Sequence, residues 1–205
     1  MGLKVLTLNQ RHLMRMGKIT EIRWHGRGGQ GAVLASRILA KACFLEGKWT
    51  QAFPFFGAER RGAPVMAFSR ISDEPIKLRS QIYYPDVLVF LDPMFLSMPK
   101  AMEGFKESGI LVVNTERNPE EIRVEKASKV ATVPATSIAV DLGLAVAGLP
   151  IPNTVMVGAV IKATGLASLN SAKQAIKELI KGSLLQANER AVEIGYKGTK
   201  ILSYS

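Results

Sequence analysis

The chain has 205 residues, 47% hydrophobic and 21% charged, with 18 glycines and 10 prolines, a composition that excludes disordered, collagen-like and low-complexity chains. One cysteine, Cys43, and two histidines, His12 and His25, exclude an intrachain disulfide and any cysteine-ligated iron–sulfur cluster or Cys-rich zinc site built from this chain alone, and fit a reducing, cytoplasmic setting. The formal net charge of +10 favours acidic partners, phosphorylated ligands or nucleic acid, but no run of five bases and no basic stripe interleaved with aromatics occurs, which argues against nucleic acid.

Residues 1–18 carry bases and no acid, and their apolar stretch, Val5 to Leu8, is too short for a secretory signal. They are expected to form an N-terminal arm ahead of a single domain over 19–205. Ile19 to His25 alternates as a strand does. Gly26 to Gly31 is a glycine-dense turn, and Ala32 to Glu46 reads as a helix with a wide apolar face, closed by Gly47. Trp49 to Phe56, with Pro54 inside it, suits a short edge strand. Gly57 to Gly62 is a charged loop. Pro64 to Ile71 and Glu74 to Leu78 are expected to pair around Ser72-Asp73.

Pro85 to Leu91 and Ile110 to Asn114 are apolar enough for buried strands and far too short to span a membrane. Phe95 to Glu107 reads as a helix between them. Lys129 to Pro134 is a further strand, with Ser137 as cap of a helix from Ile138 to Ala147. The last third is helical: Asn153 as cap of Thr154 to Thr164, a run from Ser168 or Asn170 to Lys181, and Leu184 to Gly195. Strands alternating with helices predict a three-layer α/β/α sandwich around a largely parallel sheet, with an added antiparallel hairpin.

Gly26-Arg27-Gly28-Gly29-Gln30-Gly31 satisfies G-x-G-x-x-G between a strand and a helix. Glycines allow positive φ and close backbone approach, and a helix start offers unpaired N–H groups and the positive end of its dipole. Together they suit a phosphate or carboxylate, with Arg27 adding charge. A dinucleotide site expects an acid about 20 residues on, at the end of the second strand. Trp49-Thr50-Gln51-Ala52 supplies none. The glycines alternatively serve only a tight turn packed on another subunit.

His25, at the presumed strand end, is a candidate for ligand bonding or proton transfer. Glu59, Arg60 and Arg61 suit an anion clamp or an acidic subunit surface. Asp92 and Asn114 end buried strands and could line the same sheet edge. Cys43 lies on the buried helix face with no base nearby and reads as packing. Neither G-x-S-x-G nor the P-loop pattern occurs, and no self-sufficient active site is visible.

His25 to Gly31 (HGRGGQG) with its small-residue helix resembles the gamma subunits of 2-oxoacid:ferredoxin oxidoreductases, most of all the pyruvate:ferredoxin oxidoreductase (pyruvate synthase) branch. Phe56 to Gly62 (FGAERRG), Pro85 to Asp92 (PDVLVFLD) and Asn153 to Ala159 (NTVMVGA) agree in order and spacing. The resemblance covers residues 19–195 and leaves 1–18 outside; Phe56 stands where Tyr is expected in many relatives. It implies a cytoplasmic enzyme complex that oxidatively decarboxylates a 2-oxoacid, forms an acyl-CoA and passes electrons to ferredoxin. It further implies alpha, beta and delta partner subunits that carry thiamine diphosphate, Mg and the iron–sulfur clusters. This chain would help bind CoA and close the active site without being catalytic alone. On that view His25, Gly26, Arg27, Gly28, Gly29, Gln30, Gly31, Arg60 and Arg61 are the cofactor-binding candidates, and Glu59 and Asn153 touch a partner or the active site. The rival readings are a free-standing dinucleotide-binding oxidoreductase and a non-catalytic basic interaction domain.

Overall fold

The computed structural model describes residues 19–55 and 63–204. The expected arm over 1–18 and the candidates Glu59, Arg60 and Arg61 lie outside the described residues. A seven-stranded sheet runs in the order β2-β3-β1-β4-β5-β6-β9. Its strands are β1 (Thr20–Arg27), β2 (Trp49–Pro54), β3 (Pro64–Ser72), β4 (Val87–Phe90), β5 (Gly109–Asn114), β6 (Ala127–Val133) and β9 (Lys200–Ser203). The central run β1-β4-β5-β6 is parallel, while β3 and β9 run against it. Five of the seven strands therefore point one way. A two-stranded ribbon, β7 (Ala145–Val146) with β8 (Leu149–Pro150), stands apart from this sheet.

The two faces are covered unequally. One carries α1 (Ala32–Leu45), α3 (Ala135–Asp141), α4 (Asn153–Thr164), α5 (Leu169–Leu179) and α6 (Leu185–Gly198). Ile22, Trp24, Ile38, Leu39, Val89, Val112, Met156 and Val160 join there in the larger core. Helix α4 is buried nearly all round, as expected of a helix wrapped by other helices. The other face is closed by single turns, Pro93–Ser97, α2 (Pro99–Met102) and Pro119–Glu121, over Leu88, Phe90, Phe95, Phe105 and Leu111.

Three elements depart from the sequence reading. The helix expected over Phe95 to Glu107 is broken, because Pro93 and Pro99 each start a new turn without an N–H to give. The helix expected from Ile138 to Ala147 lies earlier, at Ala135–Asp141, so Ser137 is inside it rather than its cap and bonds Glu116 instead. Glu74 to Leu78 forms no strand. The hairpin partner of β3 is β2, and the carbonyls of Ile76 and Leu78 accept from the Gln51 side chain. Pro75, which cannot donate to a ladder, sits in that stretch. Strand β9 was not foreseen; four residues give periodicity little to show. Among the described residues no helix is long and apolar enough to cross a membrane.

Candidate functional site

Strand β1 runs two residues further than the sequence pattern suggested, so the turn proper is Gly28 to Gly31. Gly29 has φ +100 with open space where a Cβ would stand, so only its backbone conformation demands glycine. Gly31, with φ 80, is the N-cap of α1, and no side chain caps that helix. A Cβ on Gly31 would also come within 2.5 Å of the Asn153 amide nitrogen. The first amides of α1 thus lack the usual Ser, Thr or Asp oxygen.

The turn is pinned on both sides. Gly28 N donates to Ala63 O at 2.9 Å and Gln30 N to Arg27 O at 3.0 Å. The Gln30 side chain accepts from Arg27 N at 2.7 Å and donates to Asp92 Oδ2 at 3.1 Å. The Arg27 guanidinium reaches the same oxygen at 2.6 Å, while Asp92 Oδ1 accepts from Met94 N. Beside them Asn114 Nδ2 donates to Leu91 O and Thr136 Oγ1, and its Oδ1 accepts from Thr136 N.

These groups border a crevice of about 370 Å³ at the carboxyl ends of β1, β4 and β5, which Arg27, Gly28, Gly29, Gln30, Asp92 and Asn114 line together with Thr136, Leu149 and Pro150. Open α/β sheets place ligands at this edge, and the volume is at the small end for a ligand pocket. Thr136 and the β7-β8 ribbon were not singled out from sequence; a Pro before a short helix and a two-residue ribbon give no motif to find. Charge inside the crevice is balanced, because the Arg27 cation lies on the Asp92 carboxylate. The Arg27 side chain keeps 47% exposure, so its cation also faces solvent.

Two candidates do not line the crevice. His25 points away from the turn, into the thin layer, where it is 4% exposed and packs edge-on against Phe90. Its Nε2 accepts from Arg23 Nε at 3.0 Å, so the ring is neutral with its proton on Nδ1. Burial first, and then the Arg23 charge, lowers its pKa to about 3. The reason is register: alternate β1 side chains face opposite layers, and His25 shares its face with Arg23, while Trp24 faces the helices. Asn153 is 3% exposed, is the first residue of α4 rather than its cap, and backs Gly31 from inside. Gly26 underlies the start of α1, where a Cβ would meet Ala32 Cβ at 3.3 Å.

Cys43 is buried, its Sγ points to Leu166 O at 3.5 Å, and burial raises its pKa to about 12. One protonated thiol does not hold an iron–sulfur cluster. Among the described residues no three His, Cys, Asp or Glu side chains gather as metal ligands.

The family model described as pyruvate ferredoxin/flavodoxin oxidoreductase matches residues 21–198. The chain is 52% identical over 184 residues to the pyruvate/ketoisovalerate oxidoreductases common subunit gamma of Pyrococcus furiosus, covering 88% of this chain and 97% of that one. Among solved structures, pyruvate oxidoreductase subunit PORC of Thermotoga maritima superimposes with a TM-score of 0.76 at 41% identity, over 90% of this chain and 98% of that one. The 2-oxoglutarate:ferredoxin oxidoreductase of Magnetococcus marinus, solved with 2-oxoglutarate, coenzyme A and succinyl-CoA bound, matches with a TM-score of 0.67 at 25% identity, over 88% of this chain and 31% of that one.

Proposed function

The chain belongs to the pyruvate ferredoxin/flavodoxin oxidoreductase family, as a gamma subunit of a multi-subunit 2-oxoacid:ferredoxin oxidoreductase, and from that premise we propose that its glycine turn and crevice receive part of coenzyme A. The observation that carries the reading is the uncapped start of α1 behind Gly28 and Gly29, at the carboxyl edge of the sheet and next to a half-exposed arginine. A CoA phosphate would find bare amides and the positive end of the helix there. Arg27 would exchange the Asp92 carboxylate for that phosphate. The uncharged pantetheine arm suits the remaining crevice wall, where Leu149 and Pro150 are apolar and the Asn114 and Thr136 groups are already paired.

Arg60 and Arg61 belong to the same proposal through chain continuity, since Ala63 is hydrogen-bonded to Gly28. Replacing both by Gln is expected to raise the CoA requirement or loosen assembly, with the larger effect at low salt; turnover and assembly unchanged at low salt would remove them from the site. Glu59 is proposed to touch a partner subunit or the active site. We take residues 19–205 as one gamma domain, with 1–18 as an arm. Thiamine diphosphate, Mg and the iron–sulfur clusters belong on alpha, beta and delta partners, with ferredoxin as acceptor of the whole cytoplasmic complex. The donor set of this chain agrees, since it offers one buried cysteine.

A free-standing dinucleotide enzyme fits less well. In such folds the second strand lies beside the first and ends in a ribose-binding acid. Here β3 intervenes, antiparallel, and β2 ends in Pro54-Phe55. Calorimetric titration of the purified complex with CoA and with NADH separates the two: CoA binding that the Gly28→Asp variant weakens, with no NADH binding, is expected. NADH binding that the same substitution weakens would overturn the proposal.

A further inference from the structure

Away from the glycine turn, the crevice wall is built around one buried amide. Asn114, the last residue of β5, is 4% exposed. Its Nδ2 donates to Leu91 O at 2.8 Å and to Thr136 Oγ1 at 2.7 Å, and its Oδ1 accepts from Thr136 N at 3.1 Å. Which end of the amide is which follows from the two backbone groups it meets, because a carbonyl only accepts and a backbone N–H only donates. Leu91 O therefore takes the nitrogen, and Thr136 N takes the oxygen. Both Nδ2 protons are then spent, one of them on the Thr136 hydroxyl.

That pairing fixes the polarity of the hydroxyl and leaves one capacity over. The oxygen receives a proton from Asn114, so its own proton turns away from Asn114. Among the described residues none accepts it. Thr136 is exposed and lines the crevice with Leu149 and Pro150. Its backbone N–H is already used by Asn114, so the donor it presents to a ligand is the hydroxyl. Arg27 is the single cation among the described lining residues, and it belongs to the glycine turn. The Thr136 wall thus offers one neutral donor beside apolar carbon, which suits an uncharged acceptor such as an amide carbonyl better than a phosphate.

We propose that Thr136 is a specificity residue of the crevice, whose hydroxyl donates to an amide carbonyl of the pantetheine arm, with Asn114 as the positioning residue that holds the proton outward. The inference rests on the CoA reading above and assigns the residue that recognises the half of CoA without phosphates.

The test uses the assembled complex as wild type and with Thr136→Val, Thr136→Ser or Gly28→Asp. KM is measured for CoA and for the 2-oxoacid, and two competitors of CoA are titrated. S-methylpantetheine carries the amides and no phosphate; adenosine 3′,5′-bisphosphate carries phosphates and no amide. Thr136→Val is expected to raise the CoA KM about three- to tenfold, the loss of one hydrogen bond, and to weaken S-methylpantetheine by the same factor. Inhibition by the bisphosphate, kcat and the 2-oxoacid KM stay at wild type, and Thr136→Ser, which keeps the hydroxyl, restores every value. Valine also leaves Asn114 Nδ2 without its acceptor. A wall merely loosened by that loss weakens both competitors, and this result would overturn the assignment. So would S-methylpantetheine that does not compete with CoA in the wild type, or a CoA KM unchanged in Thr136→Val while Gly28→Asp raises it. A CoA KM unchanged in both variants would instead contradict the CoA reading itself.

Discussion

Burial keeps the His25 ring uncharged, and that has a consequence for stability. Its folded pKa of about 3 lies below the unfolded value of about 6.5. Between those values the unfolded chain binds a proton that the folded chain refuses, so stability falls as pH falls through 6.5. The contribution is complete above the unfolded value and amounts to about 2 kcal/mol between pH 7.5 and pH 5. His25→Gln keeps an acceptor for Arg23 and cannot titrate, so denaturant unfolding of this variant is expected to lose that much pH dependence. An equal loss of stability in variant and wild type over this range would assign the slope elsewhere. At the crevice, Asp92→Asn frees Arg27 while leaving an oxygen for Met94 N. The CoA KM of the complex is expected to fall several-fold, because the guanidinium no longer has a carboxylate to leave. A CoA KM that rises would mean that the carboxylate itself contacts the ligand. The His25 example also shows where reading a motif stops. HGRGGQG located the turn, and Arg27, Gly28, Gly29 and Gln30 do line one crevice, but a motif is linear. The two-residue alternation of β1 sends His25 through the sheet to the other side.

At the scale of elements, glycine is used in opposite ways on the helices. In α4 a Cβ on Gly158 would stand 2.2 Å from Val192 O, and in α6 one on Gly195 would stand 2.2 Å from Val155 O. The two helices cross with backbones in contact. Gly158→Ala would ordinarily favour a helix by about 1 kcal/mol, yet here overpacking is expected to win and destabilise by about 1–3 kcal/mol. Gly198, the last residue of α6, has no neighbour within 4 Å of a Cβ, and Gly198→Ala is expected to stabilise by up to about 1 kcal/mol. Chemical denaturation of the isolated chain checks both signs; a stabilised Gly158→Ala variant would show that the crossing can open. Helix α1, with its wide apolar face and Gly47 just past its end, and the amphipathic α5 were legible from periodicity, and so were β4 and β5 from their apolar runs. The thin layer was not. Its turns are set by Pro93, Pro99 and Pro119 and by side chains such as Gln51 and Arg70, which reach backbone carbonyls distant in sequence, and no local pattern records such bonds.

On the scale of the whole molecule, the net charge of +10 and the large side chains left in solvent fit a chain made to be covered by others. Its family is one of multi-subunit enzymes, and the chain itself has a single cysteine. On the proposed function, its share of the reaction is at a boundary, where the carboxyl edge of the sheet would meet CoA. The decisive measurement is the steady-state kinetics of the assembled complex carrying Gly28→Asp, with KM determined separately for CoA and for the 2-oxoacid. If the turn receives a CoA phosphate as proposed, a carboxylate there would repel it. A CoA KM raised at least tenfold, or acyl-CoA formation lost, with the 2-oxoacid KM and subunit recovery unchanged, is the predicted result. An unchanged CoA KM in a fully assembled variant would contradict the account.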